Sequence, residues 1–290
     1  MEVSINGVSK MFRKRRRALH GVDLEFGEGM LGLLGANGAG KTTLMRLLST
    51  VLKPTSGRIF IDGHDLATRA GARAVKSLLG YLPQEFSLYP HLTGWEFLDY
   101  LALLKGIDDP AVRRRQCGDL LEQVSMADVA RDRIGTYSGG MKRRIGIAQA
   151  LLGDPRLIIV DEPTAGLDPQ ERMRVRSLLA GLGGRRVVIL STHILDDVAQ
   201  TCGRVAVLNA GAVAYHGDTA DLVSAAAGHT YLLGPGVDVP EGAIVVNAIT
   251  TAAGVERRVV TPRPPPGCNP VEPTLEDGYA ALLLAGGGPG

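Results

Sequence analysis

The stretch Gly35-Ala36-Asn37-Gly38-Ala39-Gly40-Lys41-Thr42-Thr43 constrains the fold of this chain more than any other. It follows the apolar run Met30 to Leu34 and precedes the apolar periodicity of Leu44, Leu47, Leu48 and Leu52. A strand, a tight glycine-rich turn and a helix must therefore be built in succession. Gly35, Gly38 and Gly40 let the backbone wrap closely around phosphate oxygens with its N–H groups turned inward, and the helix N-terminus adds partial positive charge. Lys41 would reach the β- and γ-phosphates of a nucleotide, and the Thr42 hydroxyl would coordinate Mg²⁺. The whole stretch from Gly35 to Thr43 is the candidate cofactor-binding loop.

Leu157-Ile158-Ile159-Val160 leads into Asp161 and Glu162. Such a continuous apolar run suits a parallel strand covered on both faces, and ligands gather beyond the carboxyl ends of those strands. Adjacent strand residues point to opposite faces, so the two acids need different roles. Asp161 is the candidate Mg²⁺ holder, directly or through water, and Glu162 the group that activates or orients an attacking water. The run Val187 to Leu190 likewise ends in Ser191-Thr192-His193, and His193 is a candidate to bond the γ-phosphate opposite Lys41. An acidic pair at a strand end is otherwise ordinary solvated surface, and a histidine after a strand is often incidental. The upstream loop is what gives them a shared purpose.

A second half-site stands far downstream, at Ser138-Gly139-Gly140. Ser138 can N-cap a helix running through Met141, Ile145, Ala148 and Leu152, and the two glycines leave its first N–H groups open to an anion.

Around these motifs the texture of the chain alternates. Residues 1–84 hold strand-like runs at Val3 to Val8, Val22 to Phe26, Met30 to Leu34 and Arg58 to Ile61. Residues 85–153 turn helical: Thr93-Gly94-Trp95-Glu96 has the spacing of a capping box, with Phe97, Leu101 and Leu104 on one face behind it. Residues 154–217 return to α/β, so the expected fold class is an α/β core, 1–217, with a helical insert at 85–153. Residues 218–290 read as a small accessory region with weak strands at Ile244 to Val246 and Val259 to Val260, a proline-rich turn, and a terminal helix capped at Thr274. The closing GGGPG is expected to be disordered.

With 290 residues and 45% apolar content the chain can bury a sizeable core. Its net charge of +2 gives no expectation of nucleic acid as a partner, and Arg13-Lys14-Arg15-Arg16-Arg17 reads as a solvated loop. Cys117, Cys202 and Cys268 are scattered and odd in number, which suits free thiols in a reducing compartment. The longest stretch free of Gly and polar side chains, Tyr279 to Ala285, falls far short of the roughly 18 apolar residues of a spanning helix. The first residues also lack the charged-then-apolar order of a signal peptide. The chain is not expected to cross a membrane itself, and attachment to an embedded partner stays open.

Taken together, these motifs resemble the nucleotide-binding subunit of ATP-binding cassette (ABC) transporters over residues 3–217. The resemblance implies a P-loop ATPase core whose cofactors are ATP and Mg²⁺. It assigns Phe12 to the aromatic position that stacks on adenine, and Gln84, in Tyr-Leu-Pro-Gln-Glu, to the switch loop that senses Mg²⁺ and the attacking water. Ser138 to Gly140 match the signature that covers the γ-phosphate bound by the opposite subunit, Ala165-Gly166-Leu167-Asp168 the dimer-contacting loop, and His193 the switch histidine. Catalysis then falls to Glu162, His193 and Gln84, and the metal to Thr42, Gln84 and Asp161.

Ala36, Phe12, Tyr137 and Met141 depart from the family's commonest residues, but none of them removes a ligand. The partners implied are a transmembrane permease subunit, contacted through Leu88, Tyr89 and Leu92, and a second ATP-binding subunit in a homodimer or heterodimer. That would place the chain peripherally on the cytoplasmic face of the membrane. Trp95 and Phe97 are read as local core. Residues 137–144, the Tyr-Pro-His-Leu-Thr segment and the closing Pro-Thr-Leu-Glu-Asp look most like the drug and antimicrobial-peptide exporter group, although Gly278 stands where a large apolar residue is more usual. The alternative is a non-transport cassette ATPase acting on ribosomes or DNA. Relatives of that kind usually join two cassettes or insert long heptad coils, and this chain has one cassette with a short insert.

Overall fold

The computed structural model describes residues 1–12 and 17–286. The basic run from Arg13 to Arg16 and the end of the glycine-rich tail lie outside the described residues. The described chain divides into two compact units, Met1–Cys202 with Val207–Val213, and Gly203–Ala206 with the chain from Ala214 onward.

In the first unit, strands β1 (Val3–Met11) and β2 (Arg17–Phe26) pair antiparallel. Strand β3 (Gly29–Leu34) leads to helix α1 (Lys41–Leu48). Strands β4 (Ser56–Ile61) and β5 (His64–Asp65) complete an antiparallel sheet of order β2-β1-β4-β5. Helix α2 (Arg69–Leu78) and strand β6 (Leu79–Leu82) precede a helical block of α3 (Gly94–Leu104), α4 (Pro110–Gln123) and α5 (Gly139–Leu151). Strand β7 (Leu157–Asp161), helix α6 (Pro169–Ala180), strand β8 (Val187–Ser191) and helix α7 (Leu195–Thr201) return the chain to α/β. Strands β9 (Arg204–Asn209) and β10 (Ala212–Asp218) follow, and the division between the units falls within them.

The strands that matter most run parallel in the order β3-β8-β7-β6. Every residue of β7 and β8 is buried, as strands covered on both faces must be. Two helices differ from their sequence expectation. Helix α1 stops at Leu48 rather than continuing to Leu52, because Thr50 takes a left-handed φ of 61° and cannot extend the helix. Helix α3 has the expected Thr93–Glu96 capping box, but buries Phe97, Leu98 and Ala102 and leaves Leu104 exposed. Its buried stripe is thus rotated from the one read in the sequence.

The second unit contains helix α8 (Thr219–Ser224), strands β11 (Thr230–Leu233), β12 (Ile244–Thr251) and β13 (Gly254–Val260), and helix α9 (Leu275–Ala285). The weak strand signals grow into an antiparallel sheet of order β11-β13-β12, with a core of Tyr231, Leu233 and Val259. Thr274 caps α9 as expected, with Asp277 supplying the reciprocal half of the box. A Cβ on Gly278 would lie 2.2 Å from the Leu222 carbonyl oxygen. The residue that departs from the usual pattern is therefore dictated by the close approach of α8. Among the described residues no helix is long and apolar enough to cross a membrane.

Asp277 is fully buried and takes hydrogen bonds from Arg258 Nε (3.0 Å) and Nη2 (2.8 Å) and from the Thr274 backbone N–H (2.6 Å). Burial pushes its carboxyl up, but the Arg258 and Thr274 hydrogen bonds outweigh this and hold it below the usual value. Its stabilising contribution is then present above the unfolded pKa of about 3.9 and is lost as pH falls through the lower folded value. Asp277→Asn is expected to destabilise this unit by about 3 kcal/mol at neutral pH. Hydrogen exchange of the β13 and α9 amides measures the loss, and the gap to the native chain should close in acid below about pH 4.

A nucleotide-phosphate cleft as candidate functional site

The glycine-rich loop leaves β3 where the strand becomes fully buried. Gly35 has φ 151°, and a Cβ there would sit 2.4 Å from the Leu208 carbonyl oxygen. No other residue fits without shifting that backbone. At the far end Gly40, with φ 108°, opens α1 without any side-chain cap, and the first turn holds no acidic residue. The positive end of the helix is left for an anion. Lys41 is buried, and its Nζ donates to the Gly35 carbonyl at 2.5 Å and the Ala36 carbonyl at 3.3 Å. Burial lowers its pKa, while Glu162 and Asp161 act in the opposite sense.

Opposite the loop, β7 ends at Asp161, and Glu162 has left the strand with a left-handed φ of 50°. The alternation expected of two strand residues does not apply; a backbone bend separates the acids instead. The Glu162 N–H donates to the Ser191 carbonyl at 2.8 Å, and its carboxylate Oε2 lies 2.9 Å from His193 Nδ1 and 3.4 Å from Thr192 Oγ1. Asp161 is 1% exposed, yet neither of its carboxylate oxygens has a hydrogen-bond partner, and Ser191 Oγ is likewise unpaired. Burial pushes the Asp161 carboxyl up; the hydroxyls of Ser191 and Thr42 and the Lys41 charge pull it down without reaching bonding geometry. A buried, orphaned carboxylate beside a hydroxyl is the donor set that a hard cation such as Mg²⁺ takes.

These groups line one cleft of about 640 Å³, bounded by Phe12, Asn37, Lys41, Thr42, Gln84, Glu162 and His193, with Ala36, Gly38, Gly40 and Thr43 on its loop side. Asp161 is buried and not among its lining residues. Phe12 is 40% exposed, with Lys10 Nζ 5.4 Å from its ring centroid. Gly35 and Ala39 shape the loop from beneath, Ala39 accepting the Gly211 N–H at 3.0 Å.

The second half-site does not join that cleft. Ser138 caps α5 as expected, accepting the Met141 N–H at 3.2 Å. A Cβ on Gly140 would meet the Glu171 carboxylate at 2.6 Å. Gly139, with Arg143 and Leu167, lines a second cleft of about 830 Å³ that shares Gln84 with the first. Tyr137 is buried and donates its hydroxyl to the Val129 carbonyl at 2.8 Å. Asp168 caps α6 through the Glu171 N–H at 2.9 Å.

One residue was hidden in the sequence by its neighbours. Arg143 stands among Lys142 and Arg144, so it reads as part of a solvated face. It is in fact 9% exposed and donates from Nη2 to the Glu162 carbonyl at 3.0 Å and from Nη1 to the Gln84 carbonyl at 3.3 Å. The signal was its spacing: Gly140, Arg143 and Ile147 share one buried face of α5.

A family model described as ABC transporter matches residues 19–165. The chain is 38% identical over 225 residues to the uncharacterized ABC transporter ATP-binding protein YxlF of Bacillus subtilis, covering 76% of this chain and 72% of that one. It is 39% identical over 228 residues to the daunorubicin resistance ATP-binding protein DrrA3 of Streptomyces coeruleorubidus, covering 78% and 71%. A solved structure of the cassette MJ0796, described as a dimeric post-hydrolysis state bound to ADP and Pi, matches with TM-score 0.67 and 26% identity over 74% of this chain and 98% of that one.

Removing the orphaned charge at constant shape, Asp161→Asn, is expected to stabilise the nucleotide-free chain by about 1 kcal/mol at neutral pH. Burial raises the folded pKa of Asp161, so its ionised form costs stability as pH climbs past the unfolded value of about 3.9. The variant's advantage should grow over that interval and vanish in acid. Thermal melts near pH 4 and near pH 7.5 check this; an advantage independent of pH would sink it.

Proposed function

The chain belongs to the ABC transporter family and is an ABC ATPase, and on that premise we propose that it powers export through a separate membrane-spanning subunit by closing and reopening as a pair of ATP-binding chains. The observation that carries this reading is the separation of the two half-sites. Lys41, Glu162 and His193 face one cleft, while Gly139 faces another. The Ser138–Gly140 segment is then available to cap the γ-phosphate in a second copy or a related subunit, and kinship with a dimeric cassette supports it.

Each side chain has a task in this scheme. Phe12 stacks on the purine, and stacking tolerates the missing hydroxyl of a tyrosine. The loop N–H groups and Lys41 hold the β- and γ-phosphates. Glu162 accepts a proton from, or orients, the attacking water, and His193, bonded to the same carboxylate, fixes its direction. Thr42, Asp161 and Gln84 are the residues that would hold Mg²⁺, which when bound neutralises charge on the phosphate oxygens.

Kinship with a daunorubicin resistance protein favours export of drug-like cargo. The permease would meet the segment around Leu88 to Leu92, where Tyr89 is 52% exposed and packs edge-on against Tyr100 at 6.0 Å. Phe97 beneath it is buried. Docking there would hold the chain at the cytoplasmic face of the membrane.

Lys41→Ala is expected to lose hydrolysis by about a hundredfold or more, since it removes charge aimed at the transferred phosphoryl group. Glu162→Gln should keep ATP binding but accumulate a closed pair, seen as a doubled mass in light scattering when ATP is added. A mass that ATP never changes would refute the pairing. Recovery of ribosomes rather than an integral membrane protein with the native chain would refute the transport role.

A further inference from the structure

Arg143 is a buried charge next to the cleft's carboxylate that the scheme above does not use. Its two terminal nitrogens each donate to a main-chain carbonyl: Nη2 to Glu162 at 3.0 Å, Nη1 to Gln84 at 3.3 Å. The Phe86 ring covers the guanidinium, 5.5 Å from Cζ to centroid. Phe86 can take that position because residue 146 is glycine; a Cβ there would lie 2.7 Å from the ring. One planar fork on α5 therefore joins the loop after β6 to the peptide after β7.

The Glu162 end of this link is the one that needs holding. A glutamate at φ 50° sits in a sparsely populated backbone region, and such a conformation persists only when its surroundings over-determine it. Its N–H is fixed by Ser191, and its C=O accepts from Arg143 at 3.0 Å and from the Ala165 N–H at a longer 3.4 Å. Without Arg143 only the longer Ala165 bond holds that carbonyl, and the backbone at Glu162 is freer to shift the carboxylate relative to His193. A lysine, with one ammonium on a flexible stem, cannot reproduce a planar fork shared between two acceptors.

We propose that Arg143 is a positioning residue that couples the Gln84 loop to Glu162, so that a shift of the loop is felt as a change in the aim of the carboxylate. This inference rests on the reading of Glu162 as the group that acts on water. Arg143 does not line the cleft of Lys41, Glu162 and His193, so it acts through Glu162. Removing it should therefore impair turnover and spare nucleotide binding.

The test compares native protein, Arg143→Lys, Arg143→Ala and Glu162→Gln as full chains, measuring kcat and KM for ATP, affinity for a fluorescent ATP analogue, and Tm. Arg143→Lys is expected to lower kcat by about tenfold or more while KM and analogue affinity stay within about twofold and Tm is retained, since small misplacements of a catalytic group are costly in rate. Native kcat in Arg143→Lys overturns the proposal, including the case where Arg143→Ala loses activity together with Tm, which marks a packing role. A raised KM at unchanged kcat also overturns it, placing Arg143 in binding instead. If Glu162→Gln hydrolyses ATP at the native rate, the underlying reading of Glu162 fails, an outcome separable from the others.

Discussion

The in-register parallel pairing of β8 between β3 and β7 is the constraint on which the rest of the first unit depends. Ser191 is the Cα partner of Leu33 on one side and of Asp161 on the other. The glycine-rich loop, the acidic pair and the Thr192-His193 segment therefore leave the sheet at one level, at the carboxyl ends of three buried strands. A shift of one residue in either ladder would turn Asp161 or Ser191 to the opposite face. The dry, apolar interior of β7 and β8 makes such a slip costly, so packing and site geometry enforce each other.

That arrangement explains why so much was readable beforehand. The loop, the acids, His193 and the Ser138 cap are carried by local signals: glycine spacing, apolar runs and capping residues, each interpretable within a few neighbours. What escaped were features fixed by distant contacts. The left-handed Glu162 is set by the Ser191 carbonyl and by Arg143, neither of them near it in sequence. Between Lys142 and Arg144, Arg143 carries little local sign of burial, which is set instead by Phe86 and the Gln84 loop. The phase of α3 is not set locally, because Leu104 is as apolar as Leu98 and only tertiary packing decides which is covered.

The second unit follows the same logic. Its strands were faint because β12 is mostly exposed and lacks the clean alternation of a half-buried strand. Its clearest fixed point is polar: Asp277 gathers Arg258 from the sheet and the Thr274 cap of α9, tying helix to strand where the apolar core is small. Gly278, which weakened a sequence likeness, proved to be the residue that lets α8 and α9 touch.

Lys41 has a consequence of a different kind. Its ammonium is bonded to the carbonyls of Gly35 and Ala36, within its own loop. The loop thus contains internal acceptors that compete for its own cation. A ligand gains from Lys41 only the difference between those bonds and the ones it offers. Charge-assisted bonds to phosphate oxygens are stronger than bonds to neutral carbonyls, so this competition favours ligands of high charge density.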